Sequence, residues 1–383
     1  MRIKTLGEIC NVASGGTPSR AQTAYWNDGT IPWIKIGNIK GKHVDNADEY
    51  ITQEGLNNSS AKIFPKGTIL YTIFATLGEV GILTIEACTN QAIAGIVIKD
   101  PSEISTDYLF YYLKSKKEYV NGIGRGVAQN NINMSILRGF EVPIPDISEQ
   151  HQIVSVLDKV ANVIEFRQNQ LMELDNLVKS RFVELFGDPI CNSKDLILSS
   201  LNDVCTKITD GTHDTPPRYD SGYLLLTGKN IRSSGIIFDD VEFVSEEDHK
   251  IIYSRCNPEY GDVLYTNIGV NYGTACYNNL NYEFSMKNVA LLKPNHRLVN
   301  GYYLWECLNI MRNHILSMNQ VGGAQTFMGL ATIKKITIPV PSIDLQNQFA
   351  SFVEQTDKSK FIVQQSLDEL QCLYDKLMQD YFE

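Results

Sequence analysis

Hydrogen-bonding side chains gathered in turns rich in glycine, asparagine and proline are where this sequence could do chemistry. Ser19, Arg20, Lys35, Asn38, Lys40, Lys42, Arg125, Gln129, Asn130, Asn131 and Asn133 fall in such turns of residues 1–146. His213, Arg218, Lys229, Asn230, Arg232, Asn271, Tyr272 and Gln325 do so between residues 188 and 342. Arg and Lys can donate to guanine edges or to phosphates, and Asn and Gln can pair with adenine. The competing reading is structural: Asn and Ser suit turn geometry, and Lys serves solubility. As two sets at opposite ends of a spacer, these side chains form a candidate surface for reading a nucleic acid.

Signals for catalysis are missing. There is no phosphate-cradling G-x-x-x-x-G-K-[ST] loop and no H-E-x-x-H, and the six histidines show no ligand spacing, so neither a metal nor a cofactor is expected in this chain. Gly122-Ile123-Gly124-Arg125-Gly126 resembles a nucleotide-binding glycine loop but lacks a strand–loop–helix frame, and it reads as a flexible loop. Asn257-Pro258-Glu259-Tyr260 resembles the motif that grips a flipped adenine in amino-methyltransferases. It lacks the second proline and reads as a turn entering a strand at 262–265. Eight cysteines without a C-x-x-C pair suggest buried free thiols in a reducing cytoplasm. Neither a secretion signal nor an apolar run of about 18 residues is present, so no membrane is expected.

The elements that would position these side chains come in two copies. Val142-Pro143-Ile144-Pro145 returns as Ile338-Pro339-Val340-Pro341, and Gln150 and Gln152 return as Gln346 and Gln348, all at an offset of 196. Leu6-Gly7-Glu8-Ile9-Cys10 answers Leu201-Asn202-Asp203-Val204-Cys205, and Gly16-Thr17 answers Gly211-Thr212, both at an offset of 195. Anchors whose offsets drift describe one frame with loops of different length and content. The net charge of -10 is distributed unevenly. Residues 1–146 carry 14 basic and 14 acidic side chains and residues 188–342 carry 13 and 16, so much of the acidity sits on the segments between. Neither block has the basic excess of a non-specific phosphate binder, which leaves specific readout open.

Those connecting segments read as long helices. Ile153, Leu157, Val160, Ile164, Leu171, Leu174, Val178 and Leu185 recur at alternating steps of three and four, with Arg167 and Arg181 as interruptions. The second copy runs through Phe349, Val353, Val363, Leu367, Leu370, Tyr374, Leu377 and Tyr381, with Thr356 and Lys360 as exceptions. Such seams predict an antiparallel coiled coil between the two helices. Val156, Val163, Leu177, Phe182, Phe352 and Leu373 widen the stripe, either as thicker packing or as a docking surface. Expected strands in the first block are Ile31–Ile36, Thr68–Phe74, Val80–Ile85, Ala92–Ile98 and Phe140–Ile144, with a helix at Asp107–Tyr119. The overall expectation is a mixed, strand-rich α/β protein. Two similar domains, 1–146 and 188–342, are joined by helices at 147–187 and 343–383 with internal pseudo-two-fold symmetry.

Ser14-Gly15-Gly16-Thr17-Pro18-Ser19, Tyr25-Trp26, Ile31-Pro32-Trp33-Ile34 and Gly37-Asn38-Ile39 together resemble the opening of a target recognition domain. That domain belongs to the specificity subunit of type I restriction–modification systems. Ala128-Gln129-Asn130-Asn131-Ile132-Asn133, Val142-Pro143-Ile144-Pro145, Glu149-Gln150 and Ile153 resemble its exit into a helical spacer. The resemblance covers essentially the whole chain. The second copy departs from it with Asp210-Gly211-Thr212-His213 and Leu345-Gln346. The resemblance implies a non-catalytic reader in which each domain takes one half of a bipartite, asymmetric site in double-stranded DNA. It also implies that the helices dock two adenine methyltransferase subunits, which hold S-adenosylmethionine, and that restriction/translocase subunits join them. Two other readings stand beside it: a self-contained adenine-N6 methyltransferase, and a scaffold bridging two proteins.

Overall fold

The computed structural model describes residues 2–124, 131–269, 271–319 and 327–382. By internal contacts the chain divides into two units, Met1–Phe166 with Leu367–Glu383, and Arg167–Ser366.

In the first unit a five-stranded sheet runs in the order Cys10–Ser14, Ile93–Ile98, Ile69–Thr72, Val80–Leu83, His43–Val44. Its neighbours are antiparallel except the last pair, which is parallel. Ile69–Thr72 and Val80–Leu83 are buried along their whole length, which is why they read as apolar runs without alternation. A smaller sheet, Glu49–Ile51, Ile31–Ile34, Cys88–Thr89, carries the polar turns. Helix Thr106–Ser115 starts where the Ser105 hydroxyl accepts from the Tyr108 amide at 3.1 Å, and it buries Tyr108, Leu109, Tyr112 and Leu113.

The second unit repeats the plan. Its main sheet runs Cys205–Asp210, Ala290–Pro294, Val263–Tyr265, Ala275–Tyr277, and its smaller one Glu242–Val244, Tyr223–Thr227, Ser285–Lys287. Helix Gly301–Asn319 packs on the main sheet. In each unit an early strand also pairs antiparallel with the Pro-containing strand that precedes a long helix, Arg2 opposite Ile144 and Ile197 opposite Val340.

Several expectations are corrected. The strand starting at Ile31 ends at Ile34, because Ile36–Asn38 winds into a 3-10 turn. The helix expected over Asp107–Tyr119 is two helices, Thr106–Ser115 and Lys117–Gly124. Gly122–Gly124 therefore closes a helix instead of lying in a loop, while Arg125 and Gly126 fall outside the described residues. Cys191 and Cys372 are exposed, unlike the other thiols. The repeat register also moves by one residue. The Gly15 amide donates to the Ile93 carbonyl and the Gly211 amide to that of Val289, so Gly15, not Gly16, is the counterpart of Gly211. A Cβ on Gly15 would lie 2.3 Å from the Thr89 carbonyl oxygen, and one on Gly211 would lie 2.2 Å from that of Met286. Glycine is required at both by close backbone approach, not by a dihedral.

The long helices span Ile147–Phe186 and Ile343–Phe382. In the first unit the start of one meets the end of the other: Ile153 and Leu157 share a core with Tyr374, Met378 and Phe382, flanked by half-buried Val160, Ile164 and Leu377. In the second unit Val178, Phe182 and Phe186 share a core with Phe349 and Val353. Each helix thus runs antiparallel to its neighbour within each unit. Phe382 rests on Tyr108 with ring centroids 5.4 Å apart, and Phe186 rests on the equivalent Tyr303 at 4.8 Å. Val363 is buried, while Leu171, Leu174, Leu367 and Leu370 are half-buried. The two exceptions in the second seam have local solutions: the Thr356 hydroxyl donates to the Phe352 carbonyl at 2.9 Å, and Lys360 reaches Asp175 at 2.7 Å. Glycine ends the first helix, since Gly187 has φ +76°.

The recurrent glutamines tie helix to block. Gln150 Oε1 accepts from the Ser105 amide at 2.9 Å, and its Nε2 donates to the carbonyls of Glu103 and Pro145 at 2.9 and 3.0 Å. Gln346 repeats this with the Asn300 amide at 2.8 Å and the carbonyls of Leu298 and Pro341 at 3.0 and 2.9 Å. Both are fully buried. Each therefore satisfies three backbone groups that helix and strand leave over.

Candidate nucleic-acid interface

In the first unit the candidate cations converge on one carboxylate. Glu49, on the edge strand of the smaller sheet, meets Arg20 Nη2 at 2.5 Å through one oxygen and Lys35 Nζ at 2.6 Å through the other. The Arg20 guanidinium also lies 3.6 Å from the centre of the Trp26 ring and 4.9 Å from that of Trp33, a cation–π arrangement. Trp26 and Trp33 pack edge to face at 5.0 Å, and Trp33 Nε1 donates to the Gly16 carbonyl at 2.9 Å. The platform under Arg20 is therefore fixed by the Gly-Gly-Thr-Pro turn. The Lys35 hydrogen bond, with help from Arg20, holds the Glu49 carboxyl below its ordinary range.

The second unit builds the same cluster in the corresponding loops, whose sequences differ. Glu242 meets Arg218 Nε at 2.5 Å and Lys229 Nζ at 3.3 Å, and Arg218 Nη1 donates to the Pro216 carbonyl at 2.7 Å. Partial burial raises the Glu242 carboxyl, but the bonds from Lys229 and Arg218 outweigh it and the net shift is downward. Close to the same loop, His213 faces two oxygen atoms, Asn288 Oδ1 at 2.9 Å and Asp210 Oδ2 at 2.7 Å. The Asn288 bond, opposed by partial burial and joined by Asp210, raises the imidazole above its ordinary value. Arg255 Nη2 sits 2.9 Å from the other Asp210 oxygen.

Other candidates have local tasks. Asn38 is buried and its Oδ1 accepts from the Lys35 amide at 2.9 Å. Asn230 is fully buried; its Oδ1 takes the Thr227 amide at 3.0 Å and its Nδ2 reaches the carbonyls of Ile237 and Asp239 at 3.2 and 3.3 Å. These asparagines brace matching turns, and Asn230 spends both ends of its amide on backbone groups. Lys42 is committed to Asp107 at 2.7 Å and Asp158 at 2.6 Å, binding its turn to the first long helix. Arg232 Nη1 donates to the Lys229 and Ile231 carbonyls at 2.7 and 3.0 Å, stiffening the turn that carries Lys229. Asn271 Nδ2 donates to the Gly228 carbonyl at 2.8 Å, and the Tyr272 carbonyl accepts from Arg312 Nη2 at 2.7 Å. Asn133 caps helix Met134–Arg138, accepting from the amides of Ser135 and Ile136. Ser19 and Lys40 are exposed. Gln129, Asn130 and Gln325 lie outside the described residues. Glu49, Glu242 and Trp26 complete these clusters although the sequence did not single them out as contact residues, because only the strand pairing brings the two carboxylates to the cations.

A family model for the type I restriction modification DNA specificity domain matches residues 1–176 and again residues 194–371. The chain belongs to this family. Among curated relatives, a type I restriction enzyme MjaIX specificity subunit from Methanocaldococcus jannaschii is 34% identical over 191 residues, 49% of this chain and 44% of that one. The EcoR124I/EcoR124II specificity subunit from Escherichia coli is 31% identical over 163 residues, 41% of this chain and 40% of that one. These matches span less than half the length of either relative. A solved type I restriction–modification S subunit from M. genitalium shares the fold, with TM-score 0.60 and 17% identity, covering 100% of this chain and 96% of that one. A chain from a structural study of type I restriction–modification complex assembly gives TM-score 0.58 at 17% identity, covering 100% and 97%. The specificity domain thus occurs twice, and each copy carries one cluster of two cations on a carboxylate.

Proposed function

We propose that this chain is the DNA sequence-recognition subunit of a type I restriction–modification complex and does no chemistry itself. Each copy of the specificity domain reads one half of a bipartite, asymmetric DNA site. The observation that carries this reading is the repeated domain whose frame matches while its cationic loops differ. Arg20 and Lys35 come from one set of turns, and Arg218, Lys229 and His213 from another. Two domains meant to read the same bases would need no such difference.

The long helices dock two adenine methyltransferase subunits, which hold S-adenosylmethionine, and restriction/translocase subunits complete the complex. Side chains outside the helix cores support this role: Val163, Leu177 and Leu373 are 41%, 48% and 46% exposed. Apolar groups left on helices outside their own core favour burial against another protein. Among the described residues no helix is long and apolar enough to cross a membrane. The test is methylation-aware sequencing of cells that carry this chain with its partner subunits. The expected result is a single split motif with adenine methylation, lost when this chain is deleted. Methylation that persists without it would refute the reading.

A further inference from the structure

We propose that Glu49 and Glu242 are equivalent positioning residues, each holding one arginine, Arg20 or Arg218, in the orientation that reads its half of the DNA site. The proposal rests on the DNA-reading function above and adds which side chains set specificity.

The equivalence is geometric. Glu49 stands opposite Trp33 on the edge of the smaller sheet of the first unit, and Glu242 stands opposite Leu225 at the matching place in the second. Each takes an arginine from the turn that follows the first strand of the main sheet. Each also takes a lysine from the turn that ends the smaller sheet's middle strand. The loops that supply these cations share little sequence, yet the three-residue arrangement returns. Solubility asks only for charge at the surface and would not reproduce it.

The arrangement also suits readout. Two cations on one carboxylate leave a surplus of one positive charge, which attracts a polyanion. The arginines are fixed on two sides, Arg20 by Glu49 and the Trp26 face, Arg218 by Glu242 and the Pro216 carbonyl. A guanidinium has five donors, so each keeps N–H groups for a base edge. A side chain already held loses less freedom on contact, and a fixed fork can discriminate guanine by a bidentate contact. Lysine lacks that fork and serves phosphate as a point charge.

The experiment uses the full chain assembled with its methyltransferase partners and the duplex found by methylation sequencing. Binding is measured to that duplex and to duplexes with each base pair of the motif changed singly. Glu49→Gln is expected to reduce discrimination about tenfold at one or more positions of one half-site only. Glu242→Gln should do so in the other half. Arg20→Lys and Arg218→Lys, which keep the charge and the ion pair, should lose discrimination at the same positions. The doubles Glu49→Gln/Arg20→Lys and Glu242→Gln/Arg218→Lys should lose no more than their single variants. Uniform weakening by the Glu variants, with discrimination intact at every position, overturns the positioning role. So do Arg→Lys variants that discriminate like the parent, whatever the Glu variants do. A parent complex that discriminates no base pair instead overturns DNA reading itself.

Discussion

Glu306 shows how far one residue can depart from what its type suggests. It lies on helix Gly301–Asn319, 3% exposed, with Oε1 buried and lacking a hydrogen-bond partner. Burial pushes its carboxyl up to about 7, against the opposing pull of Lys179 and Lys360. Its counterpart in the first unit is Tyr111, whose hydroxyl donates to Asp158 at 2.5 Å, so there the position is satisfied. An acid whose folded value exceeds its unfolded one contributes stability fully present below the unfolded value and lost as pH rises through the folded one. The window here runs from 4.5 to about 7. Glu306→Gln is therefore expected to remove that pH dependence and to raise stability above pH 7 by up to about 3 kcal/mol. Urea midpoints at pH 5 and pH 8 check it; an unchanged difference between them refutes it. None of this was legible in the sequence, where Glu306 is one acid in an amphipathic helix. The cations of the two carboxylate clusters were legible by type and by turn. Their carboxylates were not, because Glu242 lies 24 residues from Arg218 and only the pairing of strands joins them.

Among elements, the long helices were the most legible, because a seam of threes and fours over this length admits one reading. Strands Cys10–Ser14 and Cys205–Asp210 were not, since each follows a four-residue helical turn that hides its alternation. The glutamine repeat was visible as a pattern but not as a mechanism. Gln150 and Gln346 are buried anchors, whereas Gln152 and Gln348, equally repeated, are exposed. Gln150→Ala leaves an amide and two carbonyls unpaired and is expected to cost about 1–3 kcal/mol or more. Gln152→Ala should cost less than about 0.5 kcal/mol. Equal melting temperatures for the two variants would contradict the anchoring role. On the proposed function, the helices also separate packing from docking by face. Leu157→Asp would bury a charge in a site with no exposure and is expected to unfold the first unit. Leu177→Asp and Leu373→Asp, at exposed positions, should leave the melting temperature nearly unchanged and yet weaken co-elution with the methyltransferase subunits. Full co-elution of both would remove these side chains from the docking surface.

At the scale of the whole molecule, the repeat predicts that specificity is divisible. Residues 188–342 contain the second cluster entire, Arg218, Lys229 and Glu242, with the strands that align them. Replacing this segment with the same segment of another family member is expected to change one half of the methylated motif and leave the other half intact. The graft has a physical condition at its seams. Phe182, Phe186 and Phe349 stay with the parent chain; Phe182 and Phe186 pack on Tyr303 at centroid distances of 5.3 and 4.8 Å, and Phe349 packs on Phe182 at 5.5 Å. Gln346 must likewise find the carbonyls at the positions of Leu298 and Pro341. A donor segment with an aromatic residue at the position of Tyr303 should fold and methylate. One with a small residue there leaves a cavity in that cluster, at about 3–5 kcal/mol for loss of a buried ring. That graft should fail for stability, which a melting curve distinguishes from a failure of reading. A stable, active graft that changed both halves of the motif would show that the two domains do not read independently.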